Sequence, residues 1–240
     1  MVVEGGTRPH NGSVADTDTV TPEAEQPTVG RPRRRWLTVL GVLLVAAGLS
    51  FVGLFIYDAY YEPVVDVQAS QQQVQQVKKG WGQGTKDDKP ATKIPGNAVA
   101  LIRIPEFGPD FEVAVMTGTT EYSLSVGVGW FDNTAGPGQV GNFSVAGHRG
   151  KSGPFVPLLD LKPGSRVIVE TRDAVYVYAL TNSPKDFTVD KSATWVVDPV
   201  PGQPNAKPTK KLITLVTCRN FFHSPERSIG VGELVETIKK

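Results

Sequence analysis

A stretch of 22 residues without a charged side chain, from Trp36 to Tyr57, constrains this chain more than any other feature. As an α-helix it would be about 33 Å long, enough to cross a hydrocarbon core of about 30 Å. Four arginines directly precede it: Arg31, Arg33, Arg34 and Arg35. The first charged residues after it, Asp58 and Glu62, are acidic. By the positive-inside rule we predict a single transmembrane anchor at 36–57, with the N-terminus cytoplasmic and the remainder extracytoplasmic.

A signal peptide and a buried core helix both fit this apolar stretch less well than an anchor does. A cleaved signal peptide has a shorter apolar region and a small-residue cleavage site, and the residues that follow here, YDAYYEP, offer no such site. A core helix of a soluble domain carries polar side chains on its outer face, whereas this stretch is uncharged on every side. An uncleaved anchor in the cell membrane is therefore the prediction.

The anchor divides the chain into regions of different composition. Residues 1–35 are polar and lack periodicity, which predicts a disordered cytoplasmic tail. Residues 58–96 are predicted to form an extracytoplasmic stalk and linker, in which the glutamine-rich segment 68–79 forms a short helix and a Gly/Lys/Pro-rich stretch follows it. The folded domain is predicted to comprise residues 97–240.

Glycine and proline punctuate the predicted folded domain. The chain has 25 glycines and 19 prolines, about 18% together against a usual value of about 12%, which favours turns and short strands over a helical bundle. Seven short apolar or alternating runs are typical of strands: 98–104, 110–116, 141–147, 165–171, 174–180, 211–217 and 228–237. Segments 119–127 and 154–160 have a helical pattern, and 171–174 is typical of a hairpin turn. We predict an all-β domain, a closed or nearly closed β-barrel of about eight strands with one or two short helices.

Charge and cysteine content exclude several classes of protein. The chain has 25 basic and 24 acidic residues and a net charge of +1, which gives no electrostatic reason to expect nucleic acid as a partner. Its single cysteine excludes an internal disulfide framework and any multi-cysteine zinc or iron–sulfur site.

The single cysteine, Cys218, directly follows the predicted strand 211–217, and an irregular polar stretch comes next. This position predicts a thiol at the rim of the barrel. A buried and inert cysteine is the alternative, because free cysteines are commonly buried. An exposed, unused thiol on an exported protein would be open to oxidation, which favours a functional role as a nucleophile.

A thiol nucleophile needs a group that handles protons and a donor for the developing oxyanion. Two histidines are candidates for the first role, His148 at the end of a predicted strand and His223 in the loop after Cys218. The residues alone leave this choice open. Arg227, at the head of the last predicted strand, is the candidate oxyanion donor. Two further arginines compete with it: Arg149 and Arg219.

Together these motifs resemble a known enzyme family. The sequence AGHR at 146–149, then TLVTC at 214–218, then Arg227, is similar to the pattern of the sortases, the membrane-anchored cysteine transpeptidases of Gram-positive cell surfaces. The resemblance covers residues 97–237 and is greatest to class E sortases of high-GC bacteria. Class E members often carry His-Pro after the cysteine, where this chain has Arg219 and Asn220.

The resemblance implies a sortase-type barrel with Cys218 as nucleophile, His148 as general acid/base and Arg227 as the donor that stabilises the oxyanion and orients the substrate. Thr217 would help to line the substrate pocket. The implied reaction cleaves an LPxTG-like or LAxTG-like sorting signal of an exported protein between Thr and Gly. A thioacyl enzyme results, and an amine such as that of a lipid-linked peptidoglycan precursor then accepts the protein.

Alternative functions of the same chain are a membrane-tethered thiol peptidase, a pilin-polymerising sortase, or a surface-binding domain without catalysis. Some sortases bind calcium through acidic loop residues, but no compact acidic group in this sequence repeats such a motif. We therefore predict no metal and no cofactor.

Overall fold

The computed structural model describes residues 35–61, 65–83, 97–220 and 224–240. Within these ranges the α-helices are α1 (Arg35–Tyr61), α2 (Val67–Gln83) and α3 (Glu121–Val126). The strands are β1 (Ala98–Arg103), β2 (Val113–Thr117), β3 (Val128–Trp130), β4 (Gly141–Ala146), β5 (Arg166–Glu170), β6 (Ala174–Leu180), β7 (Thr188–Asp190), β8 (Lys211–Cys218) and β9 (Glu226–Lys239). Short 3₁₀ helices comprise Pro105–Phe107, Val156–Asp160 and Thr194–Val197.

Eight of these strands close a barrel. Their order is β6-β5-β1-β2-β3-β4-β8-β9, and pairing of β9 with β6 completes the ring. The strand β9 has 14 residues, so its beginning pairs with β7 and its remainder with β6. Neighbouring strands are antiparallel except for two parallel pairs, β2–β3 and β4–β8. The predicted all-β closed barrel is confirmed, and closure leaves the eight strands without an open edge between them.

Large apolar side chains from alternate strand positions fill the barrel. The fully buried side chains of this core include Phe155 from the loop after β4 and five residues of the strands: Ile102, Phe143, Tyr178, Ile213 and Leu215. The Tyr178 hydroxyl accepts a hydrogen bond of 2.8 Å from the backbone N–H of Gly138, which satisfies both polar groups. Burial raises the pKa of Tyr178 to about 12. The phenol therefore stays neutral and serves the core by packing.

Most local sequence predictions match the structure. A strand is present in each of the seven predicted segments, and the predicted turn at 171–174 joins β5 to β6. The helical segment 119–127 contains α3, whose N-cap Thr120 accepts a hydrogen bond from the Ser123 N–H. The second helical segment, 154–160, contains a 3₁₀ helix instead of an α-helix. Strands β3 and β7 were not predicted, because three residues are too few to show a period of two.

Helix α1 contains the apolar stretch predicted as the anchor. Its span Trp36–Tyr57 is long and apolar enough to cross a membrane by length and composition, and none of it is buried within the protein. The predicted cytoplasmic tail lies outside the described residues, except for Arg35 at the start of α1.

Helix α2 confirms the predicted helical segment 68–79 and extends it on both sides. The Asp66 carboxylate caps it by accepting a hydrogen bond of 2.9 Å from the Ala69 N–H. One face of α2 packs on the outside of the barrel: Ala69, Val74, Val77 and Trp81 against Leu101, Ala114, Met116 and Val126. The helix is therefore part of the folded unit rather than a free stalk. The linker residues 84–96 lie outside the described residues.

Polar contacts along α2 hold the helix in place. Lys78 pairs with Glu112 at 2.5 Å, and the Gln73 amide donates to the Tyr122 hydroxyl at 3.2 Å. The Lys240 ammonium lies 4.5 Å from the centre of the Trp81 ring, a cation–π contact. Residue 240 thus contacts the helix that precedes the barrel.

Val74→Asp should lower the free energy of unfolding by about 3 kcal/mol, because it places a carboxylate in the apolar contact between α2 and the barrel. Val74 is 6% exposed, whereas the neighbouring Gln75 is exposed. Gln75→Asp is the matched control and should change stability by less than about 0.5 kcal/mol. Urea unfolding of both variants measures the difference. Equal stability of the two would show that α2 does not contribute to the fold.

Candidate active site

The parallel pair β4–β8 brings the cysteine close to one of the two candidate histidines. The strands pair in register up to Ala146 and Val216, and the Gly147 N–H donates to the Val216 carbonyl at 3.0 Å. Parallel neighbours end at the same edge of a sheet. His148, two residues beyond Ala146, therefore lies beside Cys218, two residues beyond Val216.

On its other side β8 pairs with β9, and in this antiparallel register Cys218 lies directly opposite Arg227. The order β4-β8-β9 thus places the residues in a row at one rim of the barrel, with His148 on one side of Cys218 and Arg227 on the other. The structure places the three residues that were predicted as catalytic at the ends of three neighbouring strands. Cys218 is a free thiol, half-buried at the end of its strand, so an incoming substrate can reach it.

His148 lies in a tight loop after β4. Its backbone carbonyl accepts a hydrogen bond of 3.1 Å from the Phe155 N–H. A Cβ atom on Gly153 would lie 2.3 Å from the same carbonyl oxygen, so only glycine fits there. A Cβ atom on Gly147 would lie 2.7 Å from the Phe155 ring. These close approaches fix the backbone that carries the imidazole.

The imidazole itself is partly desolvated. Burial lowers the pKa of His148 below its ordinary value of 6.5, and the nearby negative charge of Glu121 opposes this effect. The Nε2 atom is buried and has no hydrogen-bond partner among the described residues. A neutral imidazole with a free ring nitrogen can accept a proton from a thiol and later return it.

Thr217 was predicted to line the substrate pocket. Its side chain is buried, and its hydroxyl donates a hydrogen bond of 2.8 Å to the Gly147 carbonyl. This contact joins the residue before Cys218 to the residue before His148. The hydroxyl therefore connects the two strands of the site, while a role in the pocket stays a prediction.

The three candidate arginines have different partners. Arg227 donates through Nη1 to the carbonyls of Ser224 and Glu226, at 2.7 and 3.0 Å. Arg219 donates to the Lys185 carbonyl at 2.6 Å. Arg149 donates to the Arg219 carbonyl. Of these three arginines, Arg227 is the one that occupies the strand position opposite Cys218.

Two further predictions concern the surroundings of the site. His223, the other candidate histidine, lies outside the described residues. Over the described part of the chain, no group of three or more His, Cys, Asp or Glu side chains could hold a metal ion.

His148 makes stability depend on pH in a defined direction. Because the pKa of His148 lies below 6.5 in the folded protein, the unfolded chain binds more protons as pH falls through 6.5. The free energy of unfolding therefore decreases as pH falls from about 7.5 through 6.5 towards the pKa of His148 in the folded protein. Urea unfolding of wild type and His148→Gln over this range should show a wild-type decrease that is smaller in the variant. An NMR titration midpoint of His148 above 6.5 would contradict this account.

Comparison with known proteins identifies the family. A family model described as the sortase domain matches residues 102–235, more than half of the chain. The chain belongs to the sortase family. Sortase SrtE2 of Streptomyces coelicolor is 30% identical over an alignment of 247 positions, gaps included, which covers 94% of this chain and 94% of the relative.

Two solved sortase structures have the same barrel. SrtF from Corynebacterium diphtheriae is 29% identical, with a TM-score of 0.59 over 66% of this chain and 94% of that one. Sortase E1 from Streptomyces coelicolor, solved with a tripeptide in the active site, is 33% identical, with a TM-score of 0.53 over 62% and 94% of the two chains. The predicted family and its class E likeness are confirmed, and this sortase is a cysteine transpeptidase.

Three contacts of the site were not predicted from the sequence. They are the hydrogen bond from Thr217 to Gly147, the close approach of Gly153 to His148, and the hydrogen bond from Arg149 to Arg219. The glycine-rich sequence after His148 indicates a tight loop. No local pattern indicates the two hydrogen bonds, because each joins residues 70 positions apart.

Proposed function

We propose that this sortase cleaves an LPxTG-like or LAxTG-like sorting signal between Thr and Gly and transfers the exported protein to an amine of a cell-wall precursor. The observation that carries the proposal is the row of residues across β4, β8 and β9, with Cys218 between His148 and Arg227. Support for a peptide substrate comes from the relative Sortase E1, which was solved with a tripeptide in its active site.

The first half of the reaction forms a thioacyl enzyme. His148 takes the thiol proton, and the Cys218 sulfur attacks the carbonyl carbon of the Thr–Gly bond. The carbonyl oxygen becomes an oxyanion, which the guanidinium of Arg227 stabilises by donating hydrogen bonds. Collapse of the tetrahedral intermediate breaks the C–N bond, and His148 gives its proton to the leaving glycine amine.

The second half reverses these roles. An acceptor amine attacks the thioester carbonyl, the oxyanion forms again near Arg227, and the amine proton passes to His148. Collapse then breaks the C–S bond and forms the new peptide bond, and the proton returns to the Cys218 sulfur. Water in place of the amine would give hydrolysis, so the outcome depends on which nucleophile reaches the thioester first.

We further propose that residues 36–57 anchor the enzyme in the cell membrane as a single-pass helix with the N-terminus in the cytoplasm. Support comes from the apolar span in α1 and from the four arginines before it. Substrate and acceptor would then both arrive at the outer face of the membrane. Protease accessibility of the barrel in intact protoplasts tests this orientation, since a cytoplasmic barrel would stay protected.

A peptide assay tests the proposed reaction. Fluorogenic LPxTG and LAxTG peptides are incubated with the detergent-solubilised protein, with and without triglycine, and the products are separated by mass. The expected products are the fragment ending in Thr without acceptor and its triglycine adduct with acceptor. Cleavage that never yields the adduct would identify a thiol peptidase. Absence of cleavage of both peptides would contradict the proposed substrate class.

Arg227→Ala should lower kcat/KM by about 10²- to 10³-fold, because the oxyanion loses its donor in the transition state. Arg227→Lys should recover part of this loss, since an ammonium donates hydrogen bonds without the planar fork of arginine. The matched control is Arg166→Ala on the exposed side of β5, which should leave the rate unchanged. A wild-type rate for Arg227→Ala in the peptide assay would remove Arg227 from the mechanism.

A further inference from the structure

Arg149 directly follows His148, yet its side chain contacts the other half of the site. Its Nη1 atom donates a hydrogen bond to the backbone carbonyl of Arg219, the residue directly after Cys218. The contact therefore runs from the loop that carries the imidazole to the end of the strand that carries the thiol. Together with the hydrogen bond of Thr217, it connects these two segments through side chains.

Arg219 is held from two further directions. The Arg219 N–H donates to the Glu226 carbonyl on β9 at 3.0 Å, and its guanidinium donates to the Lys185 carbonyl at 2.6 Å. Neither of these contacts comes from the β4 side. The hydrogen bond from Arg149 therefore restrains Arg219 from the side of His148.

The surroundings of Arg149 disfavour the charged form of its guanidinium. Burial and the charge of Arg219 lower the pKa of Arg149, whereas Asp160 and Cys218 oppose that change. A surface arginine kept only for solubility would point into water and avoid both the desolvation and the like charge. Arg149 keeps its contact with the Arg219 carbonyl in spite of these effects.

We propose that Arg149 is a positioning residue. It couples the loop that carries His148 to Arg219, directly after Cys218, and thereby fixes the separation of the imidazole and the thiol. This inference rests on the proposed function, in which the two groups exchange a proton. The two arginines contact different segments: Arg149 donates to the Arg219 carbonyl, and Arg227 donates to the Ser224 and Glu226 carbonyls. Proton transfer is sensitive to small displacements, and a misplacement of about 1 Å costs about 10²-fold in rate.

The kinetic test compares Arg149→Met, which keeps the side-chain length and removes its donors, with Arg149→Lys and with Arg166→Met on the exposed side of β5. Arg149→Met should lower kcat by about 10- to 100-fold, with KM changed by less than about threefold. Arg149→Lys should recover part of kcat, because an ammonium can still donate to the carbonyl. Arg166→Met should match wild type.

The proposal would be overturned by an unchanged kcat in Arg149→Met. It would also be overturned by a rise in KM alone, which would make Arg149 a substrate-binding residue. A loss of kcat accompanied by a fall in Tm of more than about 5 °C would make it a structural residue and would also contradict the proposal.

Hydrogen exchange gives a readout that does not require turnover. In Arg149→Met the amide of Arg219 should exchange about tenfold faster than in wild type, while amides of β5 on the far side of the barrel stay unchanged. If the wild-type protein cleaved neither peptide, the proposed function would fail. The difference in exchange rate would still decide whether Arg149 holds Arg219 in place. An unchanged Arg219 amide would overturn the coupling itself.

Discussion

Cys218→Ala should reduce peptide cleavage and transfer to background, a loss of at least about 10⁴-fold, because no other residue can form the thioacyl intermediate. Cys218 is the only cysteine of the chain, so the variant removes every thiol without ambiguity. The initial rate of fragment release from the sorting-signal peptide is the measurement.

The control for Cys218→Ala is its fold. The thiol is half-buried at the end of β8, so the substitution should leave the thermal midpoint within about 3 °C of wild type. A folded Cys218→Ala protein that still cleaved the peptide would contradict the enzyme mechanism. Retention of function in this variant, with no effect of thiol-alkylating reagents on wild type, would instead indicate a surface-binding domain.

His148→Ala is expected to lower kcat by about 10²- to 10⁴-fold, because the thiol loses its proton acceptor and the leaving amine loses its proton donor. His223→Ala is the matched control, since it removes the other candidate histidine from the same chain. It should retain activity within about twofold. Single-turnover rates of both variants give the comparison. The opposite result, a large loss in His223→Ala alone, would exchange the roles of the two histidines.

Local patterns predicted the strands but not their closure. Burial alternates along β5 because one face of the strand packs in the barrel. The run that became β1 is apolar from Ala98 to Ile102, because its Ile102 faces the barrel core while its Leu101 packs against α2. The closing pair β6–β9 joins residues more than 50 positions apart, and no local pattern indicates it. The three-residue strands β3 and β7 depend on their neighbours for pairing and therefore leave no periodic signal.

For helix α2 too, the sequence predicts the element but not the surface on which it packs. Val74 and Val77 lie within the segment 68–79 that was predicted as helical, whereas Trp81 lies in the stretch that was predicted as linker. The surface that they cover is formed by Leu101 and Met116 of the first two strands, which only the folded barrel brings together. Because the sequence does not show this surface, the segment that contains α2 was predicted to be a stalk.

The site was predicted as a set of residues and not as a geometry. The likeness to the sortases singled out Cys218, His148 and Arg227, while the residues alone left His148 and His223 as equal candidates. What joins the three is the parallel register of β4 with β8 and the antiparallel register of β8 with β9. These registers connect residues 70 and 9 positions apart. Pairing over the longer separation is fixed by the packing of the whole barrel.

The proposed mechanism requires a covalent thioacyl intermediate on Cys218, which intact-mass spectrometry can detect. Full-length protein in detergent is mixed with the sorting-signal peptide without an amine acceptor and quenched in acid at short times. The expected mass increase is that of the peptide fragment ending in Thr less one water, located on Cys218 by digestion and removed by triglycine. Peptide cleavage without any adduct on Cys218 at every quench time, or an adduct on another residue, would contradict it.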